Sequence, residues 1–214
     1  MKVIIPTHDK YAHLVEPHQV LFHRYCPGHD LLYARQSGPP NTWAESLRGV
    51  IEALEEDYFI LLMEDVMLMS PVDEYDLKIS EQIVSEGGAV KVQLDSHLNS
   101  ECYPNNDPRF VELPPSSRNR ASLHPAIWHR DYLLKVLLPG FSAWNVETTG
   151  GEILKGEVMK RIVSLNKPRD LFYTANVYRK GVPFPRPECP RPFGTSGHYV
   201  NLEDVEYIRS FIDG

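Results

Sequence analysis

One apolar stretch governs what this chain can fold into. Residues 57–69 read Asp57-Tyr58-Phe59-Ile60-Leu61-Leu62-Met63-Glu64-Asp65-Val66-Met67-Leu68-Met69, an apolar run that ends in two adjacent carboxylates and then resumes. A continuous apolar run of this length is the pattern of a strand buried on both faces, as in α/β sheets. Such a strand has no use for an acidic pair at its end unless something cationic sits there. Carboxylate oxygens are the ligands hard divalent cations prefer. Open α/β sheets bind ligands at the carboxyl ends of their strands, so Glu64 and Asp65 are candidate metal and nucleotide contacts. Taken alone, an acidic pair at a strand end is more often a strand entering solvent. Here apolar residues continue beyond it, where a plain strand end is followed by polar turn residues.

The neighbouring segments alternate. Val3-Ile4-Ile5 reads as a strand stopped by Pro6-Thr7. Tyr11 to Tyr25 has helical spacing, with Pro17 forcing a late start or a kink. Cys26-Pro27-Gly28 ends it, and Asp30 to Arg35 reads as a second strand. Thr42-Trp43-Ala44-Glu45 forms a capping-box pattern ahead of a helix carrying Leu47, Val50, Ile51 and Leu54. Tyr58 to Met63 is the third strand, residues 72–86 are helical, and Ala89 to Leu94 is a fourth strand. Strand and helix alternating over short connections predict a mostly parallel central sheet with helices on both faces.

The second half is less regular. Residues 95–120 are rich in Asn, Pro, Ser and Arg and form an excursion with a short strand near Phe110-Val111-Glu112. A strand over Ala121–Trp128, a helix over Arg130–Leu138 and another opening at Trp144 follow, the last with an extent blurred by Gly150-Gly151. Leu171 to Tyr178 reads as a strand, and Asn201 to Ile212 as a closing amphipathic helix with Asn201 as its cap. Val182 to Phe193 is so dense in proline that no regular element is expected there. The expectation is a single domain over residues 1–214.

Composition narrows the function classes. No stretch approaches the roughly 20 apolar residues of a membrane span. Lys2-Val3-Ile4-Ile5-Pro6 reads as a strand rather than a signal peptide. Cys26, Cys102 and Cys189 are sparse and odd in number, which points to a reducing, cytoplasmic setting, and no two cysteines have metal-ligand spacing. A formal charge of −7 weakens any reading as a binder of bare nucleic acid. The acidic stretch Glu45–Glu101 and the basic stretch Lys155–Arg191 suit a phosphorylated ligand held between them. Two solvated faces of opposite sign account for the same charges.

Three further segments bear on chemistry. Pro6-Thr7-His8-Asp9 follows the first strand, where open α/β folds present a binding loop. No glycine-rich phosphate cradle occurs there or elsewhere, which excludes the usual dinucleotide and P-loop classes. Ser122-Leu123-His124-Pro125-Ala126-Ile127-Trp128 and Trp144-Asn145-Val146-Glu147 place two tryptophans and a carboxylate around one helix. Aromatic faces beside a carboxylate suit a sugar-binding cleft with a general base, although a core strand with an exposed Glu147 fits the same residues.

In this order the features resemble the GT-A-fold glycosyltransferases, the nucleotide-diphospho-sugar transferases. Val3-Ile4-Ile5-Pro6-Thr7 is similar to their opening strand and turn, and Glu64-Asp65 to their acidic metal motif. Ser122 to Leu134 and Trp144 to Glu147 resemble the S-x-x-P-A-x-W-x-x-x-x-L-L and W-x-x-E signatures of a bacterial and viral subset. The resemblance implies a GT-A-like (Rossmann-like) fold with a nucleotide-binding half over 1–95 and an acceptor-side half over 96–214. It implies a nucleotide-sugar donor, usually a uridine diphosphate sugar, a hydroxyl acceptor such as a carbohydrate, and Mn²⁺ or Mg²⁺. Asp65 would bind the metal, with Glu64 on metal or ribose and His198 as a late metal ligand. Pro6, Thr7 and His8, with Arg35 or Gln36 nearby, would line the nucleoside pocket. Arg179, Lys180, Arg186 and Arg191 are candidates for the pyrophosphate, and Glu147 would be the base of an inverting transfer. A nucleotidyltransferase making nucleotide sugars, and a GT-A-like module without catalysis, are the alternative readings.

Overall fold

Strand β1 (Lys2–His8) runs through Pro6 rather than stopping there. Ile4 accepts the Leu62 amide, so its polar groups face the third strand, and those of Pro6, two residues on, face the same way. The third strand pairs with β1 only at Val3 and Ile4. The missing proline N–H therefore costs no ladder bond. In this computed structural model the described residues are 1–95, 102–117, 120–163, 170–179, 182–188 and 201–212.

After β1 come α1 (Val15–Tyr25), β2 (Asp30–Gln36), α2 (Trp43–Glu52), β3 (Tyr58–Leu61), β4 (Val66–Leu68), α3 (Glu74–Ser85) and β5 (Lys91–Gln93). The second half adds β6 (Tyr103–Pro104), β7 (Phe110–Glu112), β8 (Ala126–His129), α4 (Arg130–Val136), α5 (Ala143–Ile153), β9 (Met159–Ile162), β10 (Thr174–Arg179), β11 (Val182–Glu188) and α6 (Leu202–Ile212). The main sheet has the order β2-β1-β3-β8-β5-β9-β7-β6, and a smaller sheet has the order β11-β10-β4.

The main sheet is mixed rather than mostly parallel. Its parallel pairs are β1 with β2, β1 with β3 and β5 with β9. Its antiparallel pairs are β3 with β8, β5 with β8, β7 with β9 and β6 with β7. The chain leaves β5, makes its long excursion, and returns reversed as β8 to fill the gap between β3 and β5. Helices do cover both faces. Phe22 of α1 and Leu77 and Val84 of α3 pack with Val3, Ile5 and Ile60 on one side. Leu47 and Ile51 of α2, Leu133 of α4 and Val146 of α5 pack with Ile4, Phe59 and Trp128 on the other.

The proline-dense segment is not irregular: Val182–Glu188 forms β11, antiparallel to β10 with one register shift. It is an edge strand, and prolines at alternate positions withhold their N–H groups from one side only. The Thr42-Glu45 capping box does not form. Thr42 Oγ1 donates to Pro39 O, and the Glu45 carboxylate accepts from Gly140 N. The capping box instead starts α5, where Ser142 and Asn145 exchange side-chain and backbone hydrogen bonds.

Candidate active site at the carboxyl edge of the sheet

The apolar run that defines the chain turns at its acidic pair. β3 ends at Leu61, Glu64 and Asp65 occupy a turn, and Val66 begins β4 in the smaller sheet. The turn lies at the carboxyl edge of the main sheet, between the two sheets. There Asp65, His124, Glu147 and Asn176 line one cavity of about 210 Å³ together with Met63 and Leu123.

Two buried cations fix the loop that carries His124. Lys91 Nζ donates to Ser122 O at 2.7 Å and to Arg120 O at 3.3 Å, and lies 4.7 Å from the Trp128 ring centre. The Arg120 guanidinium donates to the carbonyls of Leu113, Pro114, Leu154 and Glu157. Burial pushes the Lys91 ammonium down to about 7, against the attraction of Glu147 and Asp95. The His124 ring is held from behind, its Nδ1 3.1 Å from Asp95 Oδ2, while Asp95 Oδ1 accepts from Gln93 Nε2 at 2.8 Å. A carboxylate oxygen accepts, so Nδ1–H donates to it. Burial opposes a charged His124 ring; the Asp95 hydrogen bond and charge, with the charge of Glu147, outweigh that and raise its pKa.

Glu147 reaches the same cavity from α5. Its Oε1 accepts from Leu123 N at 2.8 Å and stands 3.5 Å from Ser122 Oγ. Gly150 makes this approach possible: a Cβ there would lie 2.6 Å from Ala121 Cβ and 3.0 Å from Val136 Cγ1. Only glycine lets α5 lie this close to the loop. Burial raises the Asp65 carboxyl to about 6, with Glu147 adding to the rise and His124 opposing it. Burial and the Asp65 charge raise Glu64 to about 7.

The other described residues singled out from the sequence as metal, nucleoside or pyrophosphate contacts do not line this cavity. Glu64 is buried beside it, and the backbone amides of Glu64 and His8 favour its charged form. Pro6, Thr7 and His8 end β1, paired with Ala34, Arg35 and Gln36 of β2. Thr7 is buried with its hydroxyl donating to Ile5 O. His8 takes the Lys10 amide on Nδ1 and donates from Nε2 to Gly38 O. Gln36 is buried and Arg35 exposed. Arg179 and Arg186 fall on β10 and β11. Lys180, Arg191 and His198 lie outside the described residues. The two tryptophans part company: Trp128 is fully buried in the core, whereas Trp144 is 71% exposed on the turn of α5 before Glu147.

Sequence reading missed Asp95, Asn176 and the part played by His124. The buried polar end of β5, Gln93-Leu94-Asp95, was the available sign. A second donor cluster also escaped it: Cys26, His29 and Glu74 place their ligand atoms within 4.8 Å of one another. The sign there was the Cys-x-x-His spacing of Cys26 and His29 across Pro27-Gly28. No described helix is long and apolar enough to cross a membrane.

No protein-family model and no curated protein matches the chain. Among solved structures it is similar to A197 from STIV, with 13% identity over 94% of this chain and 95% of A197 and a TM-score of 0.53. TarS 1–349 from S. aureus aligns with 75% of this chain and 57% of its own length, at 13% identity and a TM-score of 0.45. HddC from Yersinia pseudotuberculosis aligns with 85% of this chain and 74% of its own, at 12% identity and a TM-score of 0.44. The likeness to A197 bears on the fold alone, and the two weaker ones add nothing to it. The chain has an α/β fold with a mixed central sheet flanked by helices, consistent with a GT-A-like topology.

Proposed function

We propose that the chain is a glycosyltransferase that moves a sugar from a nucleoside-diphosphate sugar, of the uridine diphosphate class, to an acceptor hydroxyl. The observation that carries this reading is the meeting of Asp65 and Glu147 in one cavity at the carboxyl edge of the sheet. They come from the β3–β4 turn and from α5, and the Glu147 charge adds to the cost of charge on Asp65. A hard divalent cation, Mn²⁺ or Mg²⁺, fits this oxygen-rich donor set and would relieve that repulsion. Asp65 would hold it, with His198 as a further ligand and Glu64 supporting from beside β1. When bound, such an ion would neutralise charge on the diphosphate of the departing nucleotide. The nucleoside would lie along the ends of β1 and β2, against Pro6, Thr7, His8, Arg35 and Gln36.

Glu147 is the base. The Leu123 amide fixes one of its oxygens, so the carboxylate is held in one orientation. It takes the proton of the acceptor hydroxyl as that oxygen bonds to the anomeric carbon. The bond from that carbon to the phosphate oxygen breaks, and configuration inverts. His124, backed by Asp95, lines the same cavity; the Glu147 charge favours its protonated ring, and that ring in turn favours charge on Asp65. Trp144, exposed on the turn of α5 before Glu147, offers an apolar face to a sugar acceptor.

The test is thermal unfolding with uridine diphosphate and Mn²⁺. Binding to the folded state alone raises the midpoint by mass action. The expected result is a rise that Asp65→Asn abolishes. A midpoint unmoved by every nucleoside diphosphate would remove the donor site. A rise without any transfer to acceptors would leave a binding module, and pyrophosphate release from a nucleoside triphosphate would indicate the nucleotidyltransferase.

A further inference from the structure

Cys26, His29 and Glu74 lie away from the cavity, at the amino edge of the sheet. Cys26 closes α1, His29 immediately precedes β2, and Glu74 opens α3. Cys26 Sγ is fully buried. His29 is mostly covered, its side chain 11% exposed, and Glu74 is half open to solvent at 50%. The Tyr25 carbonyl accepts the Val72 amide, which ties the end of α1 to the approach to α3. Gly28, at φ +84°, makes the turn that brings His29 back over Cys26.

The orientation of His29 is informative. Its Nδ1 stands 3.2 Å from the Met1 carbonyl. A carbonyl only accepts, so Nδ1 carries the proton and Nε2 presents a lone pair. Nε2 lies 4.0 Å from Glu74 Oε2, too far for a hydrogen bond and suited to an ion between them. A histidine whose outer nitrogen donates to a backbone carbonyl is the usual arrangement behind a metal-bound imidazole. Ligands about 2.0–2.3 Å from a tetrahedral ion stand roughly 3.3–3.8 Å apart. Atoms within 4.8 Å of one another close onto such an ion with shifts of about 1 Å.

We propose that Cys26, His29 and Glu74 bind a transition-metal ion of the zinc class, separate from any cation at Asp65. Sulfur and imidazole select zinc-like ions over Mg²⁺ and Mn²⁺, which prefer oxygen. Glu74 faces solvent, so the ion enters on that side, and a water completes the fourth position. Cys26 binds as thiolate: the S–H proton leaves to solvent as the Zn–S bond forms, one proton for each ion. Without metal, burial and the Glu74 charge keep the thiol protonated, its pKa pushed up to about 12. The ion would pin three segments together: the end of α1, the amino end of β2 and the start of α3.

The experiment uses the untagged, chelator-treated full chain. Co²⁺ is added first, because a thiolate–cobalt bond gives a near-ultraviolet charge-transfer band that oxygen and nitrogen sites lack. The expected result is that band at one equivalent, its bleaching by Zn²⁺, and a raised unfolding midpoint with Zn²⁺. Cys26→Ser removes the band. His29→Ala and Glu74→Gln weaken zinc binding by about 10-fold or more. Asp65→Asn leaves all of this unchanged, which separates this site from the donor site. Absence of the band in the native chain, or equal zinc affinity in native protein and His29→Ala, overturns the proposal. Since the band is read on the native chain, a variant that fails to fold does not shield it.

Discussion

The two ends of β1 carry opposite kinds of ligand set. At its carboxyl end the cavity gathers oxygen, from Asp65, Glu147 and Asn176, beside an imidazole backed by a buried carboxylate. At its amino end, six residue steps or about 20 Å away, the cluster offers sulfur, nitrogen and one carboxylate. The first set is assembled from a turn, a loop, a helix and strand β10, far apart in sequence, and strains against its own charge. The second is built around one tight turn, with its thiol neutral. A site meant for a charged, exchanging ligand keeps unbalanced carboxylates near solvent. A site that holds an ion in place buries a soft ligand and orients its histidine from behind.

The largest expected effect tests the first region. Glu147→Gln should lower sugar transfer by about 100-fold or more while the response to uridine diphosphate with Mn²⁺ persists. Steady-state transfer with native rates in this variant removes Glu147 from the mechanism, and the cobalt band at the amino end should not change. Next, Gly150→Ala forces a methyl against Ala121 and Val136. Denaturant unfolding should show a loss of about 1–3 kcal/mol, with transfer falling too because α5 carries Glu147 outward. A variant with native stability would mean that α5 is not held by this contact.

The third prediction concerns charge. Asp65 is raised to about 6 and Glu64 to about 7 in the fold, above the ordinary carboxyl values of 3.8 and 4.5. Over that interval the folded state binds more protons than the unfolded one. The stability these groups contribute is therefore complete below 3.8 and lost as pH rises through 6 and 7. Asp65→Asn should stabilise metal-free protein by roughly 1–3 kcal/mol at pH 7.5 and by nothing at pH 3.5, read from denaturant midpoints. A loss of stability at pH 7.5 would mean that Asp65 is compensated by partners in the fold. The smallest effect lies at the other pole. Gly28→Ala meets open space, so its cost is conformational, about 1 kcal/mol, with no change in transfer. A change in sugar transfer would couple the two ends of β1 and break the distinction between them.

How far the fold was legible follows from how local its causes are. Strands β1, β2, β3 and β5 and the helices between them were readable because each follows from its own periodicity, whereas β4 was not, because its partner β10 lies far along the chain. Pro6 and the prolines of β11 misled because proline only disrupts where its N–H is needed, and that depends on which neighbour lies alongside. The antiparallel insertion of β8 between β3 and β5 was not readable, because strand direction depends on how the excursion returns. Thr42 had the right residues for a cap, but Pro39 O and Gly140 N took its partners away. Trp128 and Trp144 are alike in sequence, and only packing made one a core residue and left the other exposed.

The sequence by itself determined the α/β class, the acidic pair at a strand end, and Glu147 on a helix opening near Trp144. These rest on apolar runs, charges and caps a few residues apart. Only the tertiary structure decided that Asp65, His124 and Glu147 share a cavity, that Asp95 stands behind His124, and that Glu74 joins Cys26 and His29. Contacts between distant residues depend on sheet order, and sheet order is set by the packing of the whole core rather than by any local pattern.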